Sequence, residues 1–219
     1  MQPYRLPRRL VKDRIAWILD QSRGKRVLHL GFVGHPNLQQ HLAGTYWLHR
    51  RLVGVASEVV GVDSAREDVA RLQSHDDLGA MFYGDAERLD DLDLEPFDIV
   101  IAGEIVEHLH RPGDALDGMR RKLAPGGRLL ITVPNAFCLR RMIRIPFGWE
   151  MVHEDHVAYY SHRTLTRLLT AHGYAVEFAA AYRVPPDQST RTNRLLDRAA
   201  SWISPNLCDG LAYMARVES

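Results

Sequence analysis

Apolar and polar positions along the chain follow two alternating rhythms. Short apolar runs at residues 26–30, 58–63, 80–83, 99–102 and 128–133 have strand length, the pattern of strands buried on both faces. Around them, spacings of three and four place apolar side chains on one stripe and predict helices over 7–21, 46–53, 65–73 and 112–123. The first carries Leu10, Val11, Ile15, Ile18 and Leu19 and stops at Gly24. The last has Pro112 in its first turn and Ala124-Pro125-Gly126-Gly127 as its stop. A helix over 161–172, a strand over 174–183, a helix over 192–203 and a strand over 211–217 complete the series. Strands alternating with helices predict an α/β chain built on a parallel sheet. One domain spans 1–219, and residues 136–160, rich in Arg, aromatic residues and His, form a cap segment within it.

The residues able to do chemistry gather where the apolar runs stop. The fourth run ends at Gly103 and passes at once into Glu104-Ile105-Val106-Glu107-His108. Ligands of open parallel sheets bind beyond the carboxyl ends of the strands, so this stretch reads as the lip of a site. The first run ends in Gly31-Phe32-Val33-Gly34-His35-Pro36, whose glycines let backbone approach a ligand closely. The second ends at Asp63, followed by Ser64, where a carboxylate can accept both hydroxyls of a ribose. The third ends in Gly84-Asp85-Ala86-Glu87.

Composition narrows the class. The chain of 219 residues is 46% hydrophobic and 25% charged, the balance of a globular domain with a full core. A formal net charge of +1 demands no nucleic-acid partner, and nucleic acid is not expected as one. Cys138 and Cys208 lack metal-type spacing and are too few for a disulfide framework, which suits a reducing cytoplasm. No apolar run has the length of a membrane span or a secretory leader. The expectation is a cytoplasmic protein.

In this order the motifs resemble those of the class I S-adenosylmethionine (SAM)-dependent methyltransferases. The resemblance rests on the glycine loop, Asp63, Gly84-Asp85-Ala86, Glu104-Ile105-Val106-Glu107-His108-Leu109 and Leu123-Ala124-Pro125-Gly126-Gly127. It implies a Rossmann-like, seven-stranded, mostly parallel sheet with helices on both faces and the last strand antiparallel. It also implies SAM as cofactor. Gly31 and Gly34 would lie against its methionine part, Asp63 and Ser64 at its ribose, Asp85 and Ala86 at its adenine, and Glu104 beside it. The first loop departs from the family's Asp-x-Gly-x-Gly-x-Gly, since His29 stands for the acid, Val33 for the second glycine and His35 for the third. A nicotinamide-binding fold is disfavoured because Asp63 lies 32 positions beyond Gly31 and the glycine spacing fails.

A narrower resemblance concerns the site. Glu104-x-x-Glu107-His108, then His153-x-Asp155-His156-x-x-Tyr159-x-Ser161, is similar to the constellation of small-RNA 2′-O-methyltransferases. Its first half is also similar to ubiquinone-biosynthesis O-methyltransferases. By that resemblance Glu104, Glu107, His108 and His156 would hold Mg²⁺ or Mn²⁺. A competing reading makes His153 and His156 a metal-free general base and its neighbour, for N- or O-methylation. The other eight histidines are assigned no role. Arg140, Arg141 and Arg144 fit either a phosphate-bearing substrate or a solvated basic face. The apolar residues interleaved with them add shallow docking on a membrane surface as a further expectation. The expected activity is O-methylation of a hydroxyl on a sugar, glycan or other small molecule. A non-catalytic SAM-binding partner is the rival class, supported by the altered first loop, while the acceptor and the oligomeric state are not encoded in any motif.

Overall fold

A computed structural model describes residues 2–34, 38–44, 47–183 and 191–218. Residues 35–37 of the glycine loop, and 45–46 at the start of the helix expected over 46–53, lie outside the described residues. One sheet organises the chain, with strands β1 (Leu10–Val11), β2 (Arg26–Leu30), β3 (Glu58–Asp63), β4 (Ala80–Tyr83), β5 (Phe97–Gly103), β6 (Leu123–Pro134), β7 (Tyr174–Tyr182) and β8 (Gly210–Val217) in the order β1-β7-β8-β6-β5-β2-β3-β4. Every pairing is parallel except those of β8, which runs antiparallel to both β6 and β7. The Rossmann-like sheet with an antiparallel last strand is therefore present, with eight strands rather than seven.

The additional strand corrects the first helix. Asp13 sits at φ −133° and its carboxylate accepts the Ala16 N–H at 3.0 Å, so helix α1 spans only Arg14–Ser22. An N-cap residue takes extended backbone and satisfies a donor the helix leaves unpaired. Leu10 and Val11, ahead of that cap, are left extended and pair with Ala181 and Tyr182 at the sheet edge. The fifth expected strand is longer than its apolar run, because Leu123 already pairs with Phe97 before the register shifts to Ile99 opposite Arg128. Helix α5 correspondingly ends earlier, spanning Pro112–Arg121.

Side chains alternate across the strands, and each set finds a helical cover. Val27, Val59, Ile99, Ile101 and Leu130 pack on Ile15, Ile18 and Leu19 of α1 and Leu52 of α3 (Leu48–Val53). Leu28, Leu30, Val100, Ala102, Leu129 and Ile131 face Ala115, Leu116 and Met119 of α5, together with Leu165 and Leu169. Those two leucines belong to a helix at His162–Ala171, begun by a capping box between Ser161 and Thr164. Covering on both faces explains the unbroken apolar runs; each fully buried aliphatic side chain contributes about 1.5–3 kcal/mol.

Chain order reverses between β2 and β5, and the carboxyl ends of the parallel strands open there into one crevice. The cap follows β6 and is tied at both ends. Asn135 Nδ2 donates to the carbonyls of Asn206 and Cys208, and Ala136 N–H donates to Tyr160 O. Between these ties lie a helical turn at Leu139–Met142 and a 3-10 turn at Ile145–Phe147. A helix at Arg191–Ile203 packs beside the first of them. Among the described residues no helix is long and apolar enough to cross a membrane.

Candidate active site

Gly31 takes φ +68°, and a Cβ there would meet the Ile105 side chain at 3.2 Å. Both facts demand glycine at the exit of β2. Gly34 also takes a positive φ, of +64°. Asp63, nearly buried at the end of β3, accepts the Val33 N–H at 2.9 Å through one oxygen and the Ala65 N–H at 2.9 Å through the other. The carboxylate thus fixes the loop after β2, and each oxygen retains a lone pair for a further donor. Ser64 beside it is exposed. Asp85 accepts the Glu87 N–H at 2.8 Å and starts a 3-10 turn in which Ala86 is buried.

The exit of β5 is the most constrained part. Glu104 has φ +55°, the sole non-glycine residue with positive φ among those described. Such backbone costs energy and persists where the surroundings dictate it. Its N–H donates to Thr132 O at 2.8 Å, and its carboxylate takes a hydrogen bond from Tyr182 while Oε1 remains buried without a partner. Burial and the Glu104 charge push the Tyr182 phenol far up, so it stays a donor. Glu107 lies deeper, 1% exposed, with neither carboxylate oxygen hydrogen-bonded. Burial first, and the Glu104 charge second, push its carboxyl up to about 9, against weaker opposing effects of its own backbone N–H and then of Arg14 and Arg141.

Two imidazoles close over Glu107. Its backbone carbonyl accepts the N–H groups of Val157 and Ala158, at 2.9 and 3.2 Å, which fastens the end of the cap to the exit of β5. Ligand atoms of Glu107, His108 and His156 then lie within 4.8 Å of one another. Glu104, the fourth ligand implied by the resemblance, is not in that group. His108 Nδ1 lies 3.2 Å from Asp155 O, so the neutral ring carries its proton there and presents Nε2 as a lone pair. His156 Nδ1 is buried without a partner. Desolvation, then His108, His153 and Arg141, bring His156 down to about 4, so the ring is neutral at pH 7. His153 stays outside and exposed, its ring 5.5 Å from that of His156, with Nδ1 accepting the Asp155 N–H. In its neutral form the proton therefore sits on Nε2.

Two residues that the sequence did not single out complete the crevice. Arg14, the first residue of α1, donates to Thr132 Oγ1 at 3.1 Å and lies 5.7 Å from the Tyr182 ring. It brings a cation within electrostatic reach of Glu107 and of the Tyr182 phenol. Tyr182 arrives from the last turn of β7. The cap arginines are engaged within the fold: Arg140 pairs with Asp209, Arg141 donates to Asn135 O and Asp209 O, and Arg144 donates to Arg140 O.

Residues 4–178 match the sequence profile of a family described as a methyltransferase domain. The ubiquinone biosynthesis O-methyltransferase of Aeromonas salmonicida (strain A449) is 28% identical over 187 residues, covering 79% of this chain and 74% of that protein. A solved SAM-dependent methyltransferase from Archaeoglobus fulgidus superposes with a TM-score of 0.59 at 17% identity, covering 92% of this chain and 90% of that one. The N-methyltransferase NodS from Bradyrhizobium japonicum WM9, solved with S-adenosyl-L-homocysteine, gives 0.58 at 17% identity over 94% of this chain and 86% of its own. At such identities the two structures establish likeness of fold.

Proposed function

The chain belongs to the methyltransferase domain family and is a SAM-dependent enzyme, and from that premise we propose that it methylates a hydroxyl of a small acceptor with a divalent cation held by Glu107, His108 and His156. The observation that carries this reading is the unsatisfied state of the group: two oxygens of a buried carboxylate and a buried imidazole nitrogen, all without hydrogen-bond partners. Buried polar atoms in native proteins are almost always paired, so such a cluster asks for a ligand. One carboxylate with two neutral imidazoles suits Mn²⁺ better than Mg²⁺, which prefers an all-oxygen shell. Held by Glu107, His108 and His156, such an ion would supply Lewis acidity toward an acceptor hydroxyl at neutral pH.

The chain's own residues have separable tasks in this reading. Gly31, Gly34, Asp63, Ser64, Asp85 and Ala86 form the cofactor side of the crevice, and SAM supplies an electrophilic methyl group. Glu107 would hold the cation as a carboxylate, giving up its proton, and the neutral ring of His156 would need no deprotonation at pH 7. Tyr182 keeps Glu104 fixed beside the reacting groups. A simple His156 base is the weaker reading, since a ring that titrates near 4 draws a hydroxyl proton poorly. The relationship to an enzyme named for O-methylation supports oxygen as the accepting atom.

Calorimetric titration of the metal-stripped protein with Mn²⁺ tests the assignment without turnover. One site is expected, with release of a proton visible as a dependence on buffer ionisation. Glu107→Gln and His156→Ala should each weaken binding by roughly tenfold or more, the loss of one ligand, while SAM affinity holds. No Mn²⁺ binding, or unchanged affinity in both variants, would remove the cation from the account.

A further inference from the structure

A groove of about 530 Å³ lies between the first residue of α5, Pro112, and the helix at His162–Ala171. That helix supplies Arg163, Arg167, Leu168 and Ala171, whose spacings of four, one and three put them on one face. Tyr160, just ahead of the capping box, forms the remaining wall. Its ring is buried, and its phenol is pushed up by burial first and by the Glu107 charge second, so the groove adjoins the crevice. None of the residues assigned to cofactor or cation lines it. The exposed surface of the groove is almost wholly apolar, and its size is that of a small-molecule site.

Charge indicates the occupant. The lining carries two cations and no acid. Arg163 spends one N–H on the backbone carbonyl of Gln2, at 2.9 Å, and neither guanidinium meets a carboxylate among the described residues. Both side chains are exposed, with stems that add apolar wall while their forks stay in water. An uncharged apolar body would fill the groove and leave both forks unused. A carboxylate on that body matches the planar donor pairs of arginine.

We propose that this groove binds an amphiphilic carboxylate of fatty-acid type, its chain against Pro112, Tyr160, Leu168 and Ala171 and its head between Arg163 and Arg167. The site is separate from the cofactor crevice and shares only the Tyr160 wall with its surroundings. The inference does not rest on the cation or on the identity of the accepted hydroxyl.

Calorimetric titration of the full chain with decanoate, kept below its micelle-forming concentration, tests it against decanol as the uncharged counterpart. One decanoate site is expected, with decanol weaker by roughly tenfold. An Arg163→Gln/Arg167→Gln variant should lose about that factor for decanoate and keep its decanol affinity. Ala171→Trp, which fills the groove, should weaken both ligands by roughly tenfold or more. None of the substituted residues lines the crevice, so SAM affinity should match wild type and report folded variants. Decanoate affinity should also be unchanged when S-adenosyl-L-homocysteine saturates the protein. Absence of decanoate binding at millimolar concentration would overturn the proposal, as would wild-type decanoate affinity in either variant. So would displacement of decanoate by S-adenosyl-L-homocysteine, which would put the ligand in the crevice.

Discussion

Asp63 is a carboxylate fixed within the loops it joins, and in the proposed reading it also meets the cofactor ribose. Its oxygens hold Val33 N–H and Ala65 N–H, two donors from the loops after the neighbouring strands β2 and β3. Asp63→Ala should therefore weaken SAM binding by at least tenfold, since charge-assisted bonds of this kind are worth about 1.5–3 kcal/mol. Calorimetry decides it, and wild-type affinity in the variant would mean that neither the loop nor the ribose depends on this acid. The acid was legible as the last residue of an apolar run, but Val33, 30 positions away, was not legible as its partner. Arg14 was invisible for a similar reason. A charged residue flanking an apolar helical stripe looks solvated in sequence, and only folding brings it to Thr132. With one N–H spent on Thr132, the guanidinium offers further donors to an anion, and SAM carries a carboxylate. Arg14→Met should cost roughly tenfold in SAM affinity yet leave 5′-methylthioadenosine, which lacks that carboxylate, bound as before. Equal losses for both ligands would mark Arg14 as purely structural.

At the scale of elements, the packing of α3 against β2 rests on a buried imidazole pair. His29 occupies the position where the family places an acid, and its Nδ1 lies 3.2 Å from Nδ1 of His49, whose Nε2 lies 3.0 Å from Leu78 O. His49 thus donates to the carbonyl and accepts from His29, which requires a neutral His49 ring. Burial, with the charge of the neighbouring His49, brings His29 well down, and burial brings His49 down to about 4. Their folded pKa values lie below the unfolded 6.5, so the unfolded chain binds more protons between about 4 and 6.5. The stability they contribute is complete above that window and is lost as pH falls through it. Thermal unfolding at pH 7.5 and pH 5 should show a loss larger by about 1–3 kcal/mol in wild type than in a His29→Leu/His49→Leu variant. Equal losses would deny the pair this role. Each histidine reads as an isolated structural residue in sequence, because their pairing spans two elements. The first helix was misjudged where Asp13, a capping residue, interrupts a continuous apolar stripe that passes through strand and helix alike.

Over the whole molecule, the sheet turns separated motifs into one crevice. Alternation of strands and helices was readable because burial on both faces forces unbroken apolar runs, and that pattern carried the parallel sheet and the sites at its carboxyl edge. The edge strand at Leu10–Val11 was not readable, since two residues set no period. Glu104, Glu107 and His108 were legible as a strand exit; that Glu107 would be buried and unpaired while Glu104 turned to Tyr182 depended on β7, far along the chain. The central claim joins the carboxyl edge of β5 to the end of the cap, with Glu107, His108 and His156 holding one ion for transfer to oxygen. The most direct test is transfer of labelled methyl from SAM to a panel of sugar and phenol hydroxyls, run after chelation and again with Mn²⁺ restored. The account predicts label on oxygen with Mn²⁺ present, loss of at least about 100-fold in rate after chelation, and no rescue in His156→Ala. Undiminished transfer by the chelated enzyme would contradict it.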